Sequence, residues 1–141
     1  MQGPRLVVFT AVQIAAVVAL FWFLVTMKGS WGAKRYAGTA LVVVGAAFIA
    51  VARYQLGKSF SIRPEARELV TSGLYSKIRN PIYMFGIVMI VGVILAVQKP
   101  ALWIFLVAVV VGQTLRARRE ARVLEAAFGD AYREYRRKTW F

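Results

Sequence analysis

The chain contains no cysteine and no histidine. The first absence excludes disulfides, thiolate nucleophiles and cysteine-ligated metals. The second removes the side chain that most often moves protons near neutral pH, which is also the commonest metal ligand. Acid is scarce too. Glu65, Glu68, Glu120, Glu125, Asp130 and Glu134 are the only carboxylate side chains, against 19 Lys and Arg. A catalytic metal would have to rest on carboxylates alone, and a Ser-His-Asp triad is excluded. No GxGxxG, P-loop or HExxH pattern occurs, so the common soluble nucleotide folds find no support.

What the chain does have is apolar length and positive charge. Its 141 residues are 60% hydrophobic with a formal net charge of +13. That length points to one domain, and that composition is too apolar for an ordinary soluble one. So basic a balance fits either nucleic acid or an anionic surface. Here the basic residues sit beside the hydrophobic runs, so lipid headgroups are the expected counterion and nucleic acid is not expected.

Leu6 to Met27 is a run of 22 residues without charge, about 33 Å as a helix and enough to cross a bilayer. It is too long for the apolar region of a signal peptide and lacks a clear A-x-A cleavage site. Phe21, Trp22 and Phe23 suit an interfacial belt. After a short loop from Lys28 to Arg35 comes a second apolar span, Tyr36 to Ala52. Its small residues Gly38, Ala40, Gly45, Ala46 and Ala47 would permit close helix packing in lipid. Arg53 to Asn80 is the longest polar segment, in which Pro64 is placed to begin a short surface helix. Pro81 to Val97 is the third span, with Pro81 in the first turn. Gln98-Lys99-Pro100 is a break, and Ala101 to Leu115 is the fourth span. That helix is expected to run on through Arg116 to Ala127. Phe128-Gly129-Asp130 then interrupts it, and Ala131 to Lys138 forms a last short helix.

The resulting plan is an all-α integral membrane protein with about four transmembrane helices and a C-terminal cytoplasmic helical tail. Residues 1–55 form a two-helix anchor, 56–80 a cytoplasmic hinge loop, 81–115 a helical hairpin, and 116–141 a basic tail. With both termini inside, the cytoplasmic segments carry 15 Lys and Arg and the outer loops 4. This strong bias puts the termini and the central loop in the cytoplasm. The expected location is a bacterial cytoplasmic membrane. Hinge and tail then share one membrane face, as a joint site requires.

The hinge, Leu69 to Tyr83, concentrates Gly73, Tyr75, Arg79, Asn80, Pro81 and Tyr83. In the tail, Ala117, Ala121, Leu124 and Phe128 fall on one helical stripe. Glu120 sits at its edge, either as an i,i+4 partner of Arg116 or as a ligand contact. Tyr75, Tyr83, Tyr132 and Tyr135 can serve as belt residues, or as rings that stack on an adenine or hold a sulfonium.

These residues carry a resemblance. Leu69-Val-Thr-Ser-Gly-Leu-Tyr75 followed by Arg79-Asn-Pro-Ile-Tyr83 resembles the L-V-T-x-G-x-Y…R-H-P-x-Y signature of the isoprenylcysteine carboxyl methyltransferases, to which the phospholipid N-methyltransferases are related. Glu120-Ala-Arg-Val-Leu124…Phe128-Gly129-Asp130-Ala-Tyr132-Arg-Glu-Tyr135 is similar to the family's E-E-x-x-L…F-G-x-x-Y-x-x-Y tail. The resemblance covers about residues 55 to 141. It implies a membrane-embedded enzyme that uses S-adenosylmethionine and takes a lipophilic small-molecule acceptor sideways from the bilayer. Position by position, it implies that Arg79, Asn80, Pro81, Tyr83 and Glu120 bind the cofactor. Gly73, Tyr75, Tyr132 and Tyr135 match positions of architectural character. No residue is marked as catalytic, and no metal is implied. Two positions depart from the pattern. Asn80 replaces the family's histidine and can hydrogen-bond but not take up a proton. Ala121 replaces the second acid of the E-E pair.

Methyl transfer needs the two reacting groups aligned and shielded from water, with the cofactor supplying the electrophile. An anionic acceptor requires no base, whereas an ammonium must first lose a proton to Glu120, a tyrosine or water. The readings in order are methylation of a lipophilic small molecule, N-methylation of a phospholipid headgroup such as phosphatidylethanolamine, a non-catalytic protein that kept the fold, and a membrane reductase.

Overall fold

The computed structural model describes residues 3–57 and 68–141. The surface helix expected to start at Pro64 lies outside them. Five α-helices follow one another: α1 (Gly3–Thr26), α2 (Ala33–Leu56), α3 (Pro81–Val97), α4 (Ala101–Phe128) and α5 (Asp130–Lys138), with a 3₁₀ turn at Gly73–Ser76. Among the described residues there is no strand, only an isolated parallel bridge between Ile78 and Trp140. The protein is an all-α integral membrane protein. Three helices, α1, α2 and α4, are long and apolar enough to cross a membrane. The third expected span, α3, has 17 residues, about 25 Å and at the short end of what crosses.

The α2–α3 pair is the centre of the bundle. Gly38, Val42, Gly45 and Ala52 form the buried stripe of α2, at the spacing of one helix face. Gly38 lies against the Gly92 carbonyl, and a Cβ added to it would stand 2.6 Å from the Ala96 nitrogen. Gly45 is as close to α3, its Cβ position 3.0 Å from the Phe85 carbonyl oxygen. Phe48 and Phe85 stack beside it at 4.5 Å. Of the small residues read from the sequence, the two glycines make this contact, while Ala40 and Ala47 are exposed on the opposite side. Helices in lipid gain little from the hydrophobic effect, so backbone approach through small residues is what holds such a pair.

The first loop differs from its expectation. α2 starts at Ala33, so Lys34 and Arg35 belong to its first turn rather than to the loop. Arg35 is 2% exposed. Its guanidinium donates to the carbonyls of Leu24 at 2.8 Å, Met27 at 2.7 Å, Gly29 at 3.0 Å and Val25 at 3.3 Å. It also stacks on Trp31, 4.2 Å from the ring centre. The last carbonyls of a helix lack intrahelical donors and carry the negative end of its dipole, so a buried cation is well placed there.

The dry core of Leu24, Val42 and Ala96, with Leu20, Met89, Val93 and Val97 packed on it, fills the end of the bundle near this cap. The opposite end, where α2 ends, α3 begins and α4 leaves the apolar span, holds a cavity.

Candidate functional site

The hinge is shaped by its own residues. Gly73 has φ +60°, a left-handed conformation that favours glycine. Any Cβ there would run into the Gln55 side chain, whose Oε1 accepts from the Leu74 amide at 2.7 Å. The 3₁₀ turn that follows turns Tyr75 inward, where it is 7% exposed. Pro81 starts α3 and is fully buried; its fixed φ and missing N–H suit that first position.

The tail folds back onto this hinge. α4 ends at Phe128, and Gly129, with φ +53°, redirects the chain into α5. The Trp140 amide donates to the Lys77 carbonyl at 3.0 Å, and the Arg79 amide donates to the Trp140 carbonyl at 3.1 Å. Asn80 donates twice to the main-chain oxygen of Phe141, from its amide at 2.9 Å and its side-chain nitrogen at 3.1 Å. Tyr132 and Tyr135 are consequently buried on the inner face of α5, their rings 6.2 Å apart. Arg133, Arg136 and Arg137 stay exposed on its outer face.

Hinge and tail enclose a cavity of about 360 Å³. Arg79, Asn80, Pro81, Tyr83 and Glu120 all line it, together with Tyr75, Tyr132 and Tyr135. Residues 40 positions apart in sequence thus share one wall. Tyr83 Oη donates to Glu120 Oε1 at 2.6 Å, and Arg116 Nε donates to the same oxygen at 3.0 Å. Glu120 thus pairs with Arg116 and also lines the cavity. The Ala117, Ala121 and Leu124 stripe faces it as well, so Ala121 leaves an opening where the family pattern carries a second acid.

The electrostatics of the hinge-and-tail end favour donors. Burial pushes the phenols of Tyr75 and Tyr132 above their ordinary range. Tyr135 is pushed up to about 12, first by burial and then by Tyr132. All three stay neutral hydroxyls at physiological pH. The Tyr135 hydroxyl is buried without a hydrogen-bond partner among the described residues. Arg79 is half-buried, with no carboxylate paired to it among the described residues. A cation and an unpartnered hydroxyl at one end of a cavity suit a carboxylate or a hydroxyl-rich ligand.

The site also takes residues that the sequence reading did not single out. Phe9 and Gln13 of α1, and Ile49, Arg53 and Leu56 of α2, line the cavity, so the anchor helices do contribute to it. Arg53 bonds Gln13 and also Thr10, the latter at 2.8 Å. Gly86 of α3 and Gln113 of α4 line the cavity as well. The available signal was an amide inside an apolar run, as at Gln13 and Gln113, because polar side chains at membrane depth are costly unless used. Among the described residues no cluster of acidic side chains could hold a metal.

This architecture defines a helical integral membrane protein with a polar-ended cavity at one membrane face. The chain belongs to the phospholipid methyltransferase family, whose model matches residues 33–131. That match runs from the start of α2 into α5 and includes the hinge motif and the tail motif as far as Ala131. Neither a curated protein nor a solved structure matches the chain.

Proposed function

We propose that the protein is an S-adenosylmethionine-dependent methyltransferase that acts on a lipophilic, membrane-borne acceptor. The observation that carries this reading is the single cavity joining Arg79, Asn80, Pro81, Tyr83 and Glu120 across the hinge and the tail. Its volume lies within the range of small-molecule sites, and its donor set fits the cofactor. Arg79 and the Tyr135 hydroxyl are suited to the amino-acid carboxylate, Glu120 to ribose hydroxyls, and the ring of Tyr75 or Tyr132 to the adenine or the sulfonium. Bound there, the cofactor supplies an electrophilic methyl carbon.

The chain's own part is alignment and exclusion of water. Tyr83 and Arg116 hold the Glu120 carboxylate in place from two sides. The Trp140–Phe141 segment ties the tail to the hinge through its backbone bonds. The apolar lining from Ile49, Leu56, Ile82 and Ala117 continues the cavity toward the lipid chains, the side from which an acceptor with acyl or prenyl chains would approach. We place both termini in the cytoplasm of a bacterial inner membrane, on the distribution of Lys and Arg.

Two acceptor classes follow. Isoprenylcysteine-type carboxyl methylation fits the hinge signature and needs no base. N-methylation of an ethanolamine phospholipid is favoured by the family match and by a wall that offers acceptors, Glu120 Oε1 and Gln113 Oε1. Glu120 is the one carboxylate on the α4 wall of the cavity and is the candidate to take the ammonium proton.

The test is calorimetric titration of S-adenosylhomocysteine into detergent-purified protein, alongside Glu120→Ala and Tyr83→Ala. Binding in the micromolar range that falls by about tenfold or more in either variant supports the reading. A folded wild type that binds none overturns it, and the family fold would then serve a non-catalytic role.

A further inference from the structure

The apolar half of α4 carries one polar side chain that faces inward. Between Ala101 and Leu115, Gln113 and Thr114 are the only amide or hydroxyl side chains. Thr114 turns to the exposed side and satisfies itself, donating to the Val110 carbonyl at 2.8 Å. Gln113 lines the cavity, and its Oε1 is buried with no hydrogen-bond partner among the described residues. A buried carboxamide oxygen without a donor is costly, and more so at membrane depth, where water does not supply one.

Small residues flank this side chain. Gly86 faces Gln113 from α3, and a Cβ there would stand 3.4 Å from Gln113 Nε2. Ala117, one turn along α4, is small as well. Glu120 lies two turns along the same wall, about 10 Å away by helical rise. Among the described residues none donates to this oxygen.

We propose that Gln113 selects the acceptor. Its Oε1 receives an N–H or O–H from the polar headgroup of a lipid seated in the cavity. A headgroup with such a donor binds in preference to an equivalent one without, because the latter leaves the buried oxygen unpaired. For an amine headgroup the same contact sets the end of the reaction. A quaternary ammonium has no N–H left for Gln113 and is the weakest-held member of the series. This proposal rests on reading the cavity as the methyltransferase site, but it concerns binding and is measured without turnover.

The probes are dioctanoyl-phosphatidylethanolamine, dioctanoyl-phosphatidylglycerol and dioctanoyl-phosphatidylcholine. They share chains and phosphate and differ in the donors they carry. Binding to the detergent-purified full chain is followed by tryptophan fluorescence for wild type, Gln113→Leu and Gln113→Asn, with S-adenosylhomocysteine titrated in parallel. Wild type is expected to prefer the ethanolamine over the choline lipid by about tenfold, the usual scale of one well-placed hydrogen bond. In Gln113→Leu that preference falls to within about twofold; should Gln113→Leu fail to fold, the shortened amide of Gln113→Asn decides by the same loss. Glycerol lipid held like ethanolamine lipid extends the selection to hydroxyl donors, and glycerol lipid held like choline lipid restricts it to ammonium. No preference in wild type, an equal preference in the variants, or no lipid binding at all overturns the role of Gln113. A wild type that discriminates between the lipids but binds no S-adenosylhomocysteine overturns the methyltransferase reading and leaves Gln113 as a lipid-selecting residue.

Discussion

Replacing Gly38 by alanine adds one methyl group at the tightest helix contact in the molecule. The new Cβ would run into the Gly92 carbonyl oxygen and stand 2.6 Å from the Ala96 nitrogen and 3.0 Å from the Ala96 Cβ. Ordinary contact begins near 3.4 Å, so α2 and α3 have to part by about 1 Å. Two of the three opposing atoms are helix backbone and cannot swing aside. Overpacking of this kind costs about 1–3 kcal/mol, and rigid neighbours place it in the upper half. For a chain of this size that is a fall of roughly 5–10 °C in melting temperature. The effect reaches the cavity because α3 carries Pro81, Tyr83 and Gly86. A shift of α3 stretches the 2.6 Å bond from Tyr83 to Glu120 on α4. The assay is thermal unfolding in detergent together with S-adenosylhomocysteine titration. Gly112→Ala is the control, because nothing lies within 4 Å of a Cβ there. It is expected to be neutral or slightly stabilising. A Gly38→Ala protein that melts within about 2 °C of wild type would refute the reasoning, since the helices would then not be held by backbone approach.

Two further predictions concern the cap and the tyrosines. Arg35→Met leaves the carbonyls of Leu24, Val25, Met27 and Gly29 without their donor. It should cost about 3 kcal/mol or more, read as a lower melting temperature and as faster proteolysis in the loop between α1 and α2. A substitution that leaves both unchanged would show that the cap is incidental. Tyr75, Tyr132 and Tyr135 hold their protons more tightly folded than unfolded, where phenols titrate near 10. The stability they contribute is therefore complete below pH 10 and is lost as pH rises toward about 12, the value of Tyr135. The melting temperature should fall steeply over that window, and Tyr135→Phe should flatten the fall. Equal slopes in both proteins would refute the assignment for Tyr135.

Much of this protein was legible in one dimension because its signals are local. An uncharged run of helical length, a proline at the start of a helix and a glycine after its end act through neighbours in sequence. Residues 81, 97, 101 and 128 accordingly mark boundaries both in the sequence pattern and in the structure. Membership of the phospholipid methyltransferase family was legible for the same reason, since its two motifs are short and contiguous. The glycines of α2 could be recognised as small, but periodicity does not say which small residues find a partner. Gly38 and Gly45 meet α3 while Ala40 and Ala47 face outward, and only helix rotation decides that.

The cavity belongs to the tertiary level. Arg35 looked like a loop charge and is a buried helix cap, because α1 ends within reach of the first turn of α2. Phe9, Gln13 and Arg53 come from helices that the motifs do not contain. The bridge of Trp140 and Phe141 to the hinge joins segments some 60 residues apart. The sequence alone determined which residues carry polar chemistry beside a membrane. Bringing Tyr83 against Glu120, leaving Tyr135 and Gln113 without partners and opening a space between them required long-range contacts, whose geometry depends on how four helices pack and not on any single stretch of chain.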